Sequence, residues 1–281
     1  KKITVEDIKR VAKQYFRDDK LSMVILKPKK ESSAKVHPKA DKPLLEIQKI
    51  VLDNGLTILL RENHVAPIVS INLVINGGTG QESVENNGIC QLTSRFLTAG
   101  TKSRSSEDIA QSIESRGASL TPFSGRNSFG LMLNLLSDNT NFAIELIEDL
   151  IKNPSFPEKE LARQKQDVMT ALISQEDNIR TVTSRNLRES LFLTHPFRMD
   201  GLGTIKTVEK ITVTEIADFY KRHVVPNNMV LSVFGDINSA QVLGSLKNKF
   251  GSLLKKDVKI LSNSEKAPEQ TREKNIQLNK K

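Results

Sequence analysis

Apolar residues recur along this chain with two different periods, and the switches between them mark out its elements. Ile8, Val11, Ala12 and Tyr15 or Phe16 form a stripe at helical spacing, opened by Thr4 as N-cap with Asp7 three residues on. LSMVIL (21–26) follows as a short buried strand ended by Pro28. After a stretch with no apolar period, QKIVLDNGLTILLREN (48–63) carries two apolar runs around Asp53-Asn54-Gly55, a hairpin signal, and 68–78 supplies a third strand. Ile89, Leu92, Phe96 and Leu97 return to helical spacing. A helix follows over 106–116, capped by Ser105 or Ser106 and stopped by Gly117, then strands over 118–123 and 127–137. Helices are predicted at 138–152, 158–175 and 178–193, with Asn153-Pro154 and Phe156-Pro157 parting the first two. A punctuated loop at 195–204, a helix at 212–222, a strand at 228–235 and a helix at 239–250 complete the pattern. Strands and helices do not alternate regularly, which predicts an α+β fold with a mainly antiparallel sheet backed by helices.

One part of this pattern occurs twice. Residues 3–26 align without gaps on 211–234, matching Ile-Thr-Val, the acidic-Ile pair, Lys13 with Lys221, and the closing apolar run. A repeat this long and this distant is a duplicated domain and not a solenoid period. The chain therefore divides into 1–28, the tail of one module; 29–47, a linker rich in Lys, Ser and Pro; 48–255, a second module; and 256–281, a further linker.

Composition narrows the function classes. With 281 residues, 37% of them hydrophobic, there is enough apolar material for a substantial core. No run reaches the roughly 18 apolar residues of a membrane span. The net charge of +9 favours acidic partners. Many of the lysines, however, sit in 27–42 and 255–259, where they read as solvated chain and not as a nucleic-acid surface. Cys90 is the single cysteine, so no intrachain disulfide and no multi-cysteine metal site can form; beside an apolar stripe it reads as a buried structural thiol.

Candidate chemistry centres on GICQLTSRFLTAGT (88–101). Gln91, Ser94 and Arg95 fall on one helix face, the i, i+3, i+4 arrangement by which two ligands and a base converge on one metal ion. Zinc needs imidazole, thiolate or carboxylate, and this face offers an amide, a hydroxyl and a cation. The four histidines, His37, His64, His195 and His223, include no pair at i+3 or i+4. His195 reads as ordering a loop, His64 as lying in a hairpin or strand connection, and His223 as a partial positive charge suited to the C-terminus of its helix. Gly77, Gly78 and Gly80 serve backbone turning, since GGTG lacks the spacing and lysine of a phosphate loop. No GxSxG occurs, and Ser94 beside Arg95 has no base near it in sequence. Arg95 reads as an interface residue, donating to a carboxylate across a domain contact.

The segment resembles the motif helix of the pitrilysin/insulinase metallopeptidases, the inverted zincins with His-x-x-Glu-His. The surrounding frame is kept by Gly88, Ile89, Leu97, Gly100 and Thr101. The resemblance implies that Gln91 stands at the first ligand position, Ser94 at the general base, Arg95 at the second ligand and Leu172 at the third, a glutamate on a later helix. The DNGL, NPSF, HPF…GT and NNMVLSVFGD segments extend the likeness over about residues 49–252, and NIQLNKK (275–281) resembles the opening of a next module. The same resemblance implies a processing-peptidase-like module, degenerate and without metal or catalytic residues of its own. It would belong to a longer polypeptide whose intact module holds zinc. The implied partners are that active half, in the same polypeptide or a partner subunit, and unfolded peptides admitted to a clamshell chamber. The other expectation from the resemblance is a scaffold subunit of a processing or respiratory assembly. Fused relatives of this kind include bacterial periplasmic enzymes, which points to the cell envelope.

Overall fold

The computed structural model describes residues 4–16, 46–261, 264–266 and 268–276. The chain divides into two compact units, residues 1–44 and 45–281.

In the first unit, helix α1 (Val5–Tyr15) opens with a reciprocal capping box. The Thr4 hydroxyl accepts from the Asp7 backbone N–H at 3.2 Å, and the Asp7 carboxylate accepts from the Thr4 N–H at 3.1 Å. The strand expected at 21–26 and all but the end of the linker lie outside the described residues.

Among the described residues, the second unit is built on one six-stranded sheet. Its strands are β1 (Gln48–Val51), β2 (Thr57–Glu62), β3 (Ile68–Asn76), β4 (Ser119–Ser124), β5 (Ser128–Leu136) and β6 (Met229–Gly235), in the order β1-β2-β6-β3-β5-β4. Every neighbouring pair is antiparallel except β2 and β6, which run parallel with Thr57 opposite Val230 and Leu60 opposite Val233. The expected Asn54-Gly55 turn joins β1 to β2, with Gly55 at φ 87. Asn54 also donates from its side chain to the carbonyls of Phe250 and Leu253, at 2.8 and 3.1 Å, fastening the turn to the end of the last helix.

Strict alternation along β3 sends Val69, Ile71, Leu73 and Ile75 to one face, each no more than 1% exposed. Ile58 and Leu60 of β2, Leu131 and Leu133 of β5, and Leu231 and Val233 of β6 join them in a single core. The helices are α2 (Ile89–Phe96), α3 (Ser106–Glu114), α4 (Thr140–Lys152), α5 (Glu158–Glu176), α6 (Ile179–Leu191), α7 (Ile205–Lys210), α8 (Val213–His223) and α9 (Ser239–Phe250). Of these, α2, α3, α4, α5, α7, α8 and α9 contribute buried side chains to that core, so the fold is α+β as the pattern predicts. Helix α7 was not separated in the sequence pattern. It is short and depends on a local signal, a capping box between Thr204 and Thr207.

Candidate functional site

The site is set by the start of α2. Gly88 takes a left-handed conformation, φ 100, which turns the chain into the helix, and a Cβ there would lie 2.8 Å from the Leu202 carbonyl oxygen. The helix begins over a buried carboxylate. Glu82, 2% exposed, accepts from the Gly88 backbone N–H at 3.0 Å, the Cys90 N–H at 2.9 Å and the Asn87 side-chain amide at 2.7 Å. Burial pushes the Glu82 pKa up, while these donors pull it back. Both oxygens accept, the pattern of an ionised carboxylate at a helix N-terminus. Cys90 beside it is fully buried, and desolvation together with the Glu82 charge pushes its thiol up to about 12, so it is inert as a nucleophile.

With its N-terminus so fixed, α2 turns the face of Gln91, Ser94 and Arg95 toward α5. Ser94 is buried and donates to the Gln91 backbone carbonyl at 2.8 Å. Arg95 reaches α5, where its Nη1 donates to Gln164 Oε1 at 2.9 Å and lies 3.8 Å from Asp167 Oδ2. The network continues through Arg163, 3.6 Å from Asp167 and 2.6 Å from Glu160, to Ser106 on α3, which donates to Glu160 at 3.1 Å. Gln164 and Glu160 are each under 8% exposed. A guanidinium thus joins α2 to α5.

Leu172 lies on α5 beyond this network and is 7% exposed. It borders a groove of about 1150 Å³ lined also by Val84, Ile173, Arg185, Asp200 and Ile205. Arg185 closes one side of the groove through a bidentate pair with Glu176, at 2.5 and 2.8 Å. The four positions provide one amide, one hydroxyl already donating to the backbone, one paired cation and one alkyl chain. They do not fit zinc, and among the described residues no cluster of three His, Cys, Asp or Glu is placed to hold a metal.

The histidines are dispersed. His37 lies outside the described residues. His64 follows β2 and is 2.7 Å from Asp236, which raises its pKa. His195 accepts from the Phe197 N–H at 3.1 Å and orders its loop. His223 corrects the sequence reading. It does end α8, but it is buried against Phe219 and Phe129, and desolvation lowers its pKa to about 4. It is therefore neutral near pH 7 and contributes no cation to the helix dipole. Neither Glu82 nor the groove is legible in the sequence. A single Glu in the polar loop QESVENN carries no periodic signal, and the groove's walls come together from distant segments.

Comparison with known proteins identifies the family and the fold. The family model described as Insulinase (Peptidase family M16) matches residues 57–204, and that described as Peptidase M16 inactive domain matches residues 210–281. An uncharacterized zinc protease of Rickettsia bellii is 28% identical over 202 residues, 72% of this chain and 49% of the relative. The non-peptidase homolog YmxG of Helicobacter pylori is 26% identical over 196 residues, 70% of this chain and 45% of the relative. A crystal structure of a peptidase M16 inactive domain from Pseudomonas fluorescens superposes with a TM-score of 0.72 at 24% identity, covering 80% of this chain and 54% of that one. The chain spans about half the length of the curated relatives it matches.

Proposed function

Given that the chain belongs to the insulinase family of peptidases, family M16, we propose that it is a non-catalytic portion of a zinc metalloendopeptidase. It forms one wall of a clamshell chamber for unfolded peptides, and a zinc-bearing half closes against it, supplied by the same polypeptide or by a partner subunit. The observation that carries this reading is the Arg95–Gln164 bond, at 2.9 Å. The face where the family's inverted-zincin motif would gather two imidazoles and a general base instead holds a cation tied to a neighbouring helix. A guanidinium keeps its charge at any working pH and repels a divalent metal. In the complete assembly, zinc would polarise the scissile carbonyl and activate water in the other half, and this chain's residues take no part in that step.

The experiment is a peptidase assay of the purified 281-residue chain with an unfolded reporter peptide and saturating zinc. The reading predicts no turnover above the metal blank; zinc-dependent cleavage abolished by a chelator would overturn it. A second reading, a scaffold subunit with no link to proteolysis, is favoured by the likeness to a protein described as a non-peptidase homolog. The two part on peptide binding. A chamber wall raises the affinity of the active half for peptide, and a scaffold leaves it unchanged.

A further inference from the structure

Three turns at one end of the sheet meet on a single imidazole. His64, just past β2, has its Nδ1 2.7 Å from Asp236 Oδ1 in the turn between β6 and α9, and its Nε2 3.6 Å from Glu62 Oε2 at the end of β2. The second oxygen of each carboxylate is also engaged. Asp236 Oδ2 accepts from the Ser137 hydroxyl, in the turn between β5 and α4, at 2.9 Å. Glu62 Oε1 accepts from the backbone N–H of Ser239, the first residue of α9, at 2.6 Å. Backbone bonds close the same ring: the Asp236 N–H donates to the Ile68 carbonyl at 2.9 Å, and the Ser137 N–H to the Pro67 carbonyl at 3.0 Å. The connection from β2 to β3 is tied down by these groups, and its Val65 and Ala66 wall one side of a hollow of about 670 Å³ shared with Arg61, Phe234 and Leu136.

The two ring nitrogens have unequal tasks. Asp236, at the shorter distance and fixed by Ser137, keeps a proton on Nδ1. In the neutral ring Nε2 is then a lone pair facing the Glu62 carboxylate, acceptor against acceptor; in the imidazolium it is a donor facing an anion. We propose that His64 is a proton-operated clasp: a proton on Nε2 draws Glu62 and the start of α9 onto the β2–β3 connection, and its loss releases them. The direction of titration agrees. The hydrogen bond to Asp236 raises the His64 pKa, against desolvation, and the charge of Asp236 and the contact with Glu62 raise it further; among the described residues these are the two titratable groups that act on the ring. A histidine raised in the folded state contributes stability that is present below its unfolded value and lost as the pH rises through its folded value. The acid limit is set by the carboxylates, both held below their ordinary values, Glu62 by the Ser239 N–H and Asp236 by His64. The clasp is therefore closed from mildly acidic pH up to the raised value of His64, and open above it. This holds whether or not the module is catalytic.

The test is a titration of the full chain, labelled with ¹⁵N in its histidines, from about pH 5 to about pH 9 by NMR, with amide protection taken relative to the intrinsic exchange rate at each pH. His64 is expected to titrate above about pH 6.5, and its neutral form to show the Nδ1–H tautomer in the ¹⁵N shifts. Across the same midpoint, protection of the Ser137 and Asp236 amides is expected to fall about two- to fivefold, the range of an ion pair open to solvent. The Leu73 amide, in the middle of the sheet between Leu131 and Leu231, serves as the control and stays constant. Glu62→Gln should lower the His64 midpoint and keep the tautomer, whereas Asp236→Asn should lower the midpoint and lose it. In His64→Gln, protection at Ser137 and Asp236 should no longer depend on pH over this range. A midpoint at or below about pH 6.5 in the unaltered chain, a neutral Nε2–H tautomer, or the same fall in protection in His64→Gln would each overturn the proposal.

Discussion

Replacing Glu82 with glutamine tests how the motif helix is held. The change is nearly isosteric but removes the charge and turns one accepting oxygen into a donor. The carboxylate receives three N–H donors at 2.7 to 3.0 Å, two of them backbone groups in the first turn of α2. Glutamine satisfies the donors on one oxygen and sets its amide against those on the other. At least one charge-assisted bond is lost and one buried donor is left without a partner, which together cost about 2–4 kcal/mol. For a unit of this size each kcal/mol lowers the melting temperature by about 2–4 °C, so Glu82→Gln is expected to lower it by about 4–16 °C. Differential scanning calorimetry at neutral pH measures this, and urea unfolding gives the free energy independently. A change below about 1 kcal/mol would refute the reasoning. It would mean that the acid is carried protonated, as burial alone favours, and that α2 is held by its apolar contacts and not by an anion at its N-terminus.

Two further expectations concern the polar contacts that fix neighbouring parts of the chain. Arg95→Glu places a carboxylate beside Asp167 and removes the donor to Gln164; it is expected to weaken association with a zinc-bearing M16 half in sedimentation or calorimetric titration, and unchanged binding would remove Arg95 from the interface. Glu265 accepts the backbone N–H groups of Leu193, Thr194 and His195 at 2.7 to 2.9 Å, which hold its pKa down at about 2. A carboxyl depressed in the folded state contributes stability that is present above its ordinary value and lost as the pH falls toward its folded value. Protection from hydrogen exchange at residues 193–195, taken relative to the intrinsic rate at each pH, should therefore be high above about pH 4.5, fall as the pH drops toward 2, and be low at all pH in Glu265→Ala. Protection that survives the substitution would contradict this.

Local signals in the sequence carried most of the fold. The alternation along β3, the helical stripe of Ile89, Leu92 and Phe96, the caps at Thr4 and Ser105, and the Asn54-Gly55 turn are each set within a few residues, and each has its expected counterpart in the structure. The parallel pairing of β2 with β6 was not legible, because their register is decided by packing across more than 160 residues of chain. The site divides the same way. That Gln91, Ser94, Arg95 and Leu172 make a poor metal set comes from residue chemistry alone. That Arg95 already has partners within its own module, Gln164 and Asp167, does not. Likewise His223 takes its charge state from burial among rings that include Phe129, a residue on a strand almost a hundred positions away, and not from its place at the end of a helix.

Zinc stoichiometry tests the central claim most directly. The unaltered chain, and a chain carrying Gln91→His, Ser94→Glu, Arg95→His and Leu172→Glu, are dialysed against the same zinc buffer and their bound metal is determined by mass spectrometry. The account predicts no zinc bound by the unaltered chain, and a gain of zinc on the substituted one as imidazole and carboxylate donors replace amide, guanidinium and alkyl. One zinc per unaltered chain, lost on substitution of Gln91 or Arg95, would contradict it.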